Sequence, residues 1–299
     1  EKIKNLIGSR NNDADSCYRS AEIDSLIGST NKYPLSTVLQ LSKLPEKLCI
    51  CLDIGEEMES SWDLKGSQQK HTRLEIIVSA LKNFVKCKLK FNPRHSIAIC
   101  IIADEVEWIL DFTNEIPLVS NILDGLNPRK GCSSEFDFSK LFDALQIHCT
   151  ISPVIKGNEL CMEPLVRIIL IYGRSFSVPK LSKHPETHPI CNHPFFYLDV
   201  LYIHSTMTEK KNACQKIYNF LRGIACGGVT ETAYMFEQPH SANKLGKNLS
   251  MLSAHAAQRQ PRDELIKHIY YNADPDRLLV NFGFVEEKDK SASNSPSYP

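Results

Sequence analysis

Apolar residues in this chain gather into short unbroken runs, and the stretches between several of these runs carry helical periodicity. Residues 48–54 are nearly all apolar and bounded by polar neighbours, the pattern of a strand buried on both faces. A polar loop, 58–69, follows. Leu74, Ile77, Val78, Leu81, Phe84 and Val85 then recur at a spacing of three and four, which predicts an amphipathic helix ending before Asn92-Pro93. Residues 96–103 form a second buried run. Residues 106–112 alternate imperfectly and read as an adjoining antiparallel strand. Helices are predicted over 118–126 and 138–148, with Asp137 as the cap of the second. Residues 165–172 and 195–203 are the third and fourth buried runs, separated by a loop rich in Pro and His. A helix over 210–225 stops at Gly227-Gly228, a short fifth strand covers 232–236, and a last helix covers 243–254.

Strands alternating with helices require crossover connections, so the fold class is α/β: a doubly wound, mostly parallel sheet flanked by helices on both faces. Residues 1–44 read as a partly disordered N-terminal extension, 45–255 as one domain, and 256–299 as a partner-docking tail with a disordered end. The apolar segments 265–271 and 278–284 suit coupled folding onto a partner. Ligands of doubly wound folds bind beyond the carboxyl ends of the strands, so the residues just after each strand are those to question.

Composition narrows the field. Thirty-five basic residues balance thirty-five acidic ones, and a neutral chain has no global field for gathering phosphates, so nucleic acid is not an expected partner. No apolar run approaches the length of a membrane span. Eleven cysteines, several inside apolar runs, read as reduced thiols packed as small hydrophobes.

After the first strand stands Asp53-Ile54-Gly55-Glu56-Glu57. A carboxylate there ligates a hard cation if other oxygens converge on it; capping of its own loop is the simpler role. Asp104-Glu105 suits the turn into the next strand. Gly173-Arg174-Ser175 offers no carboxylate, and an Arg pointing into the crevice would repel a cation. His204 reads as a structural residue. The segment containing His184, His188, Cys191 and His193 has a zinc-like composition, but its spacing matches no common finger and prolines stiffen it. Phosphate-cradling loops, GxSxG and HExxH do not occur, and phosphoryl transfer through Asp53 lacks the second acid two residues on, where Gly55 stands.

Asp53 at the end of the first strand, an acidic loop and a long helix together resemble a von Willebrand A domain. In that family Asp-x-Ser-x-Ser, a Thr and a second Asp hold Mg²⁺. The matching positions here are Asp53, Gly55, Glu57, Ser133 or Ser134, and Gly173, so the resemblance implies a degenerate site with no metal and no cofactor. The runs at 45–58 (PEKLCICLDIGEEM), 108–113 (WILDFT), 132–142 (CSSEFDFSKLF), 166–175 (VRIILIYGRS) and 194–204 (PFFYLDVLYIH) resemble the MERIT-forty family more closely, in order across about 160 residues. That family supplies the small scaffold subunit of the BRISC and BRCA-A deubiquitinase complexes.

The resemblance implies a non-catalytic scaffold that docks on a ubiquitin-conjugating-enzyme-like subunit. The same assembly contains a JAMM isopeptidase and its pseudo-enzyme partner. It acts in DNA damage responses in the nucleus and in deubiquitination in the cytoplasm. Residues 251–259 (MLSAHAAQR) resemble the family's tail motif, which implies partner contacts by Leu252, His255, Gln258 and Arg259; where the family has Pro-x-x-Arg, this chain reads Ala256-Ala257-Gln258-Arg259. The alternative is a metal-dependent, ligand-binding A domain with a non-standard cation site at Asp53.

Overall fold

A computed structural model describes residues 43–62, 70–131, 135–149, 154–156, 159–161, 164–193, 195–205, 212–226, 233–238 and 244–258. In chain order the strands are β1 (Glu46–Asp53), β2 (Ser61–Trp62), β3 (His71–Thr72), β4 (Ser96–Ile102), β5 (Val106–Thr113), β6 (Val154–Lys156), β7 (Glu159–Cys161), β8 (Leu165–Tyr172), β9 (Phe196–Ile203) and β10 (Met235–Gln238). The α-helices are α1 (Arg73–Phe91), α2 (Ile116–Asp124), α3 (Ser139–His148), α4 (Cys214–Cys226) and α5 (Leu245–Ser253).

Six strands form one sheet in the order β10-β9-β8-β1-β4-β5. All neighbours are parallel except β5, which runs antiparallel to β4. The continuous apolar runs become the central strands because both of their faces are covered. Leu48, Ile50 and Leu52 point to the side of α1, α2 and α5, where Ile77, Leu81, Phe84, Leu249 and Leu252 pack. Cys49 and Cys51 point to the other side, among Phe142, Leu145, Ile217 and Leu221 of α3 and α4. The α/β architecture with helices on both faces is therefore the one that the pattern predicts.

Local chemistry sets the ends. Thr72 opens α1 with a capping box: its hydroxyl accepts from the Glu75 amide at 3.1 Å while the Glu75 carboxylate accepts from the Thr72 amide at 2.9 Å. Asp137 accepts from the Ser139 and Ser182 amides and so ties the start of α3 to the loop after β8, while the N-cap position itself falls one residue later than predicted, at Phe138. The polar loop expected after β1 is anchored instead: a 3₁₀ turn and β2 bury Met58 and Trp62. The fifth sheet strand lies at 235–238 rather than 232–236, because its pairing runs from Met235 beside Val200 to Gln238 beside Ile203.

Candidate functional site

The carboxyl ends of β1, β4 and β8 meet over Asp53, whose side chain is fully buried. Its Oδ1 accepts from the Gly55 amide at 3.0 Å and its Oδ2 from the Gly173 amide at 3.1 Å. The Arg174 guanidinium closes the rest: Nε lies 3.3 and 3.2 Å from the two oxygens, and Nη2 3.3 Å from Oδ1. Nη2 also donates to the Ala103 carbonyl at 2.5 Å, and the guanidinium carbon sits 5.5 Å from the Phe136 ring and 5.8 Å from the Tyr172 ring. A cationic side chain thus stands against the carboxylate where a metal-binding A domain would place its ion. Sequence reasoning foresaw the repulsion between such an Arg and a cation; the structure shows that Arg174 does enter the crevice.

Both glycines follow from close approach. A Cβ on Gly55 would lie 3.1 Å from Asp53 Oδ1 and 3.5 Å from Arg174 Nε, and one on Gly173 would collide with the Met58 sulfur. Glu57 faces neighbouring loops: Oε1 accepts from the Ser175 amide at 2.7 Å, and Oε2 lies 3.8 Å from Arg73 Nη1. Arg73 Nη2 donates to Ser205 Oγ, while Ser175 Oγ accepts from the Ser205 amide. Two carboxylates and two guanidiniums therefore balance across the loops after β1, β8 and β9. Burial pushes the Glu57 carboxyl up from its ordinary value, against the opposing pull of the Ser175 hydrogen bonds. Ser133 and Ser134 lie outside the described residues. As for phosphoryl transfer, a nucleophile needs an open oxygen, and both oxygens of the buried Asp53 already accept N–H groups.

His204 is satisfied as expected, with its ring nitrogens against the Ser205 carbonyl and Glu237 Oε1. In the Pro- and His-rich loop, His184 is exposed, His188 is buried with Nδ1 3.7 Å from Asp143, and His193 Nδ1 accepts from the Phe195 amide. Among the described residues these side chains and Cys191 form no metal-ligand cluster.

The opposite edge holds what sequence reasoning missed. Glu46, Lys88, Arg167 and Asp199 are all buried there. Glu46 pairs with Lys88 and lies 3.5 Å from Arg167 Nη1, while Arg167 Nε donates to Asp199 Oδ2 at 2.8 Å. The same groups hold the end of α5. Lys88 Nζ donates to the Ser253 carbonyl at 3.1 Å and Arg167 Nη1 to the Ala254 carbonyl at 3.0 Å, while the Ala256 amide donates to Glu46 Oε1 at 2.9 Å. The available signal was a charge inside each of two buried runs, Arg167 in LVRIILIY and Asp199 in FFYLDVLYI.

This arrangement corrects the reading of the tail. Leu252 is 0% exposed in the core and His255 is buried, with Nε2 3.1 Å from the Leu44 carbonyl, so both side chains are committed to the domain. Ala256 and Ala257 pack against Leu165 and Tyr197. Gln258 is exposed, and Arg259 lies outside the described residues.

The edge also sets a pH response. Burial first, then the Lys88 charge, brings His95 down to about 4 from 6.5; burial likewise lowers His255. His95 Nδ1 accepts the Glu46 amide at 2.8 Å, so that nitrogen carries no proton. Between pH 6.5 and pH 4 the unfolded chain takes up protons that the folded one refuses, so stability is full above pH 6.5 and falls as pH drops through that window. Burial pushes the Glu46 carboxyl up, but Arg167 and Lys88 outweigh it and hold it well below its usual range, so its own contribution is lost only at still lower pH. Chemical denaturation at pH 7 and pH 5 should show a loss of about 2 kcal/mol, most of it removed in His95→Gln. Equal stability at the two values would refute this.

No family model matches the chain. It is 32% identical over 218 residues to "BRISC and BRCA1-A complex member 1" of Xenopus tropicalis, covering 72% of this chain and 67% of that protein. To the Homo sapiens protein of the same name it is 28% identical over 252 residues, covering 83% and 70% respectively. Among solved structures, the SpRpn10 VWA domain aligns with 72% of this chain and 98% of its own, at 14% identity and a TM-score of 0.46. With that degree of identity over about two thirds of the frog protein, the chain belongs to the family of BRISC and BRCA1-A complex member 1.

Proposed function

We propose that this chain is a non-catalytic scaffold subunit of a linkage-specific deubiquitinase complex of the BRISC and BRCA1-A type, working through its surfaces and holding no divalent cation at Asp53. The observation that carries this reading is the Arg174 guanidinium seated on Asp53, which fills the crevice with the chain's own cation. A Mg²⁺ ion prefers near-ideal octahedral oxygens and keeps several waters; here it would first have to displace a buried, multiply bonded Arg. Family membership supports the assembly role. In this reading the chain docks directly on a ubiquitin-conjugating-enzyme-like subunit, in an assembly with a JAMM isopeptidase and its pseudo-enzyme partner. It serves DNA damage responses in the nucleus and deubiquitination in the cytoplasm, and Gln258 and Arg259 begin the segment that reaches the partner.

The burial of Met251, Leu252 and His255 decides how to test this. A cut at 251 would remove core side chains and the groups bonded to Lys88 and Arg167, so the informative cut follows Gln258. A chain of residues 1–299 expressed in cells should co-purify with a zinc isopeptidase and its companion subunits. The chain ending at Gln258 should remain folded and retain at most about a tenth of that association, a loss of roughly 1.4 kcal/mol. Undiminished recovery of the whole assembly by the shortened chain would end the tail-docking reading; recovery of no such assembly by the full chain would end the scaffold reading.

A further inference from the structure

Three thiols converge in the middle of the sheet on the face covered by α3 and α4. Cys49 and Cys51 lie two residues apart on β1 and so share a face. Cys100 on β4 is the register partner of Cys51. All three are fully buried. The Cys49 and Cys51 sulfurs are 3.6 Å apart, those of Cys51 and Cys100 2.9 Å, and all three lie within 4.8 Å of one another. One buried Cys is ordinary packing as a small hydrophobe. Three whose sulfurs face one point from two strands make a ligand set. Among the described residues this is the group of Cys, His and carboxylate side chains that gathers at metal-ligand spacing.

We infer that Cys49, Cys51 and Cys100 form a trigonal thiolate site for a soft d¹⁰ cation, with Cu(I) the ion that suits it best. Metal–sulfur bonds of about 2.3 Å to three sulfurs in a plane place those sulfurs about 4 Å apart, so the present cluster needs to open by about 1 Å or less. Soft thiolates select such ions. A zinc site would call for a fourth ligand, for which Cys149, buried at the end of α3, is the candidate. Burial pushes the Cys49 and Cys51 thiols well above their ordinary range, so these two are protonated in the metal-free protein. Burial pushes Cys100 up, but the hydrogen bonds of Cys49 and Cys51 outweigh it and hold its thiol below the ordinary range, so Cys100 is the thiolate of the set. Binding a monovalent ion to the three sulfurs releases two protons to solvent and moves no electrons, leaving a net charge of two minus on the site.

The test uses the full chain, purified metal-free under anaerobic reducing conditions. It is offered buffered Cu(I) or Zn(II), desalted, and assayed for metal and for copper–thiolate luminescence. The expected result is one copper per chain with solvent-shielded emission, falling at least tenfold in Cys51→Ala and unchanged in Cys87→Ala, whose thiol is exposed on α1. If Cys51→Ala does not fold, X-ray absorption on the unchanged protein decides: a three-sulfur shell supports the site, and a shell containing nitrogen or oxygen overturns it. Retention of zinc alone, lost in Cys149→Ala, overturns the three-coordinate assignment. No retained metal, or the mass loss of a Cys51–Cys100 disulfide in its place, overturns the site altogether.

Discussion

Arg167→Met lowers the thermal midpoint of the domain by roughly 10 °C, at about 2–4 °C per kcal/mol for a domain of this size. The guanidinium is fully buried between β1 and β9, donating to Asp199 and to the Ala254 carbonyl and lying 3.5 Å from Glu46. Its removal does not simply delete attractive contacts. It takes the guanidinium from Asp199 and leaves Glu46 with Lys88 alone, in an interior too poor in water to make up the difference, and breaking a buried pair from one side costs about 3–5 kcal/mol. The remedy follows from the same account. Asp199→Asn on the Arg167→Met background removes a charge but keeps an oxygen for the Tyr234 amide, which Asp199 Oδ1 binds at 2.9 Å, so the double variant recovers part of the loss. In the unchanged protein Asp199→Asn is destabilising. The opposite signs define a coupling that a double-mutant cycle reads directly. Because Arg167 and Lys88 hold the Ala254 and Ser253 carbonyls, the first local effect is faster hydrogen exchange at the Ala256 and Ala257 amides. A midpoint within about 2 °C of the parent would mean that the cluster contributes little.

That cluster also marks where reading the chain in one dimension runs out. The sheet was legible because hydrophobic burial is local in its signature. A strand covered on both faces must be apolar at nearly every position, and 48–54, 96–103, 165–172 and 195–203 are so. The beginning of β1 was misplaced by two residues for the converse reason: Glu46 is a charge, and charges read as surface unless the partner is known. Its partners are 42 and 121 positions away at Lys88 and Arg167, a separation that no periodicity encodes. Leu252 and His255 read as partner contacts because the motif around them resembles the family's tail; their burial depends on a groove that only the assembled sheet edge supplies. At the opposite edge the chemistry was half legible. The loss of the serines and of the second acid was plain in Gly55, Glu57 and Gly173. The direction of Arg174 was not, since a residue just past a strand can turn either way.

The direction of Arg174 predicts how the chain responds to divalent ions. In the unchanged protein, millimolar Mg²⁺ or Mn²⁺ leaves the thermal midpoint where it was, because a ligand stabilises only through its binding to the folded state, and the folded state already presents Asp53 to a guanidinium. Arg174→Ala removes that cation and leaves a fully buried carboxylate with the Gly55 and Gly173 amides, a loss of about 3–5 kcal/mol. The variant also loses the bond to the Ala103 carbonyl, which adds to the cost. In the variant, though, the vacated volume lies against an anionic pair of oxygens, and the carboxylate has a net attraction for any cation small enough to enter. Mg²⁺ then restores part of the lost midpoint, while an equal ionic strength of NaCl restores less. Adding Asp53→Asn to Arg174→Ala abolishes the response, since an amide carries no charge for the ion to neutralise. The decisive comparison lies in the parent protein. A midpoint that rises with Mg²⁺ there, and ceases to rise in Asp53→Asn, would show that the ion displaces Arg174 unaided, and the reading of this edge as a self-neutralised surface would fail.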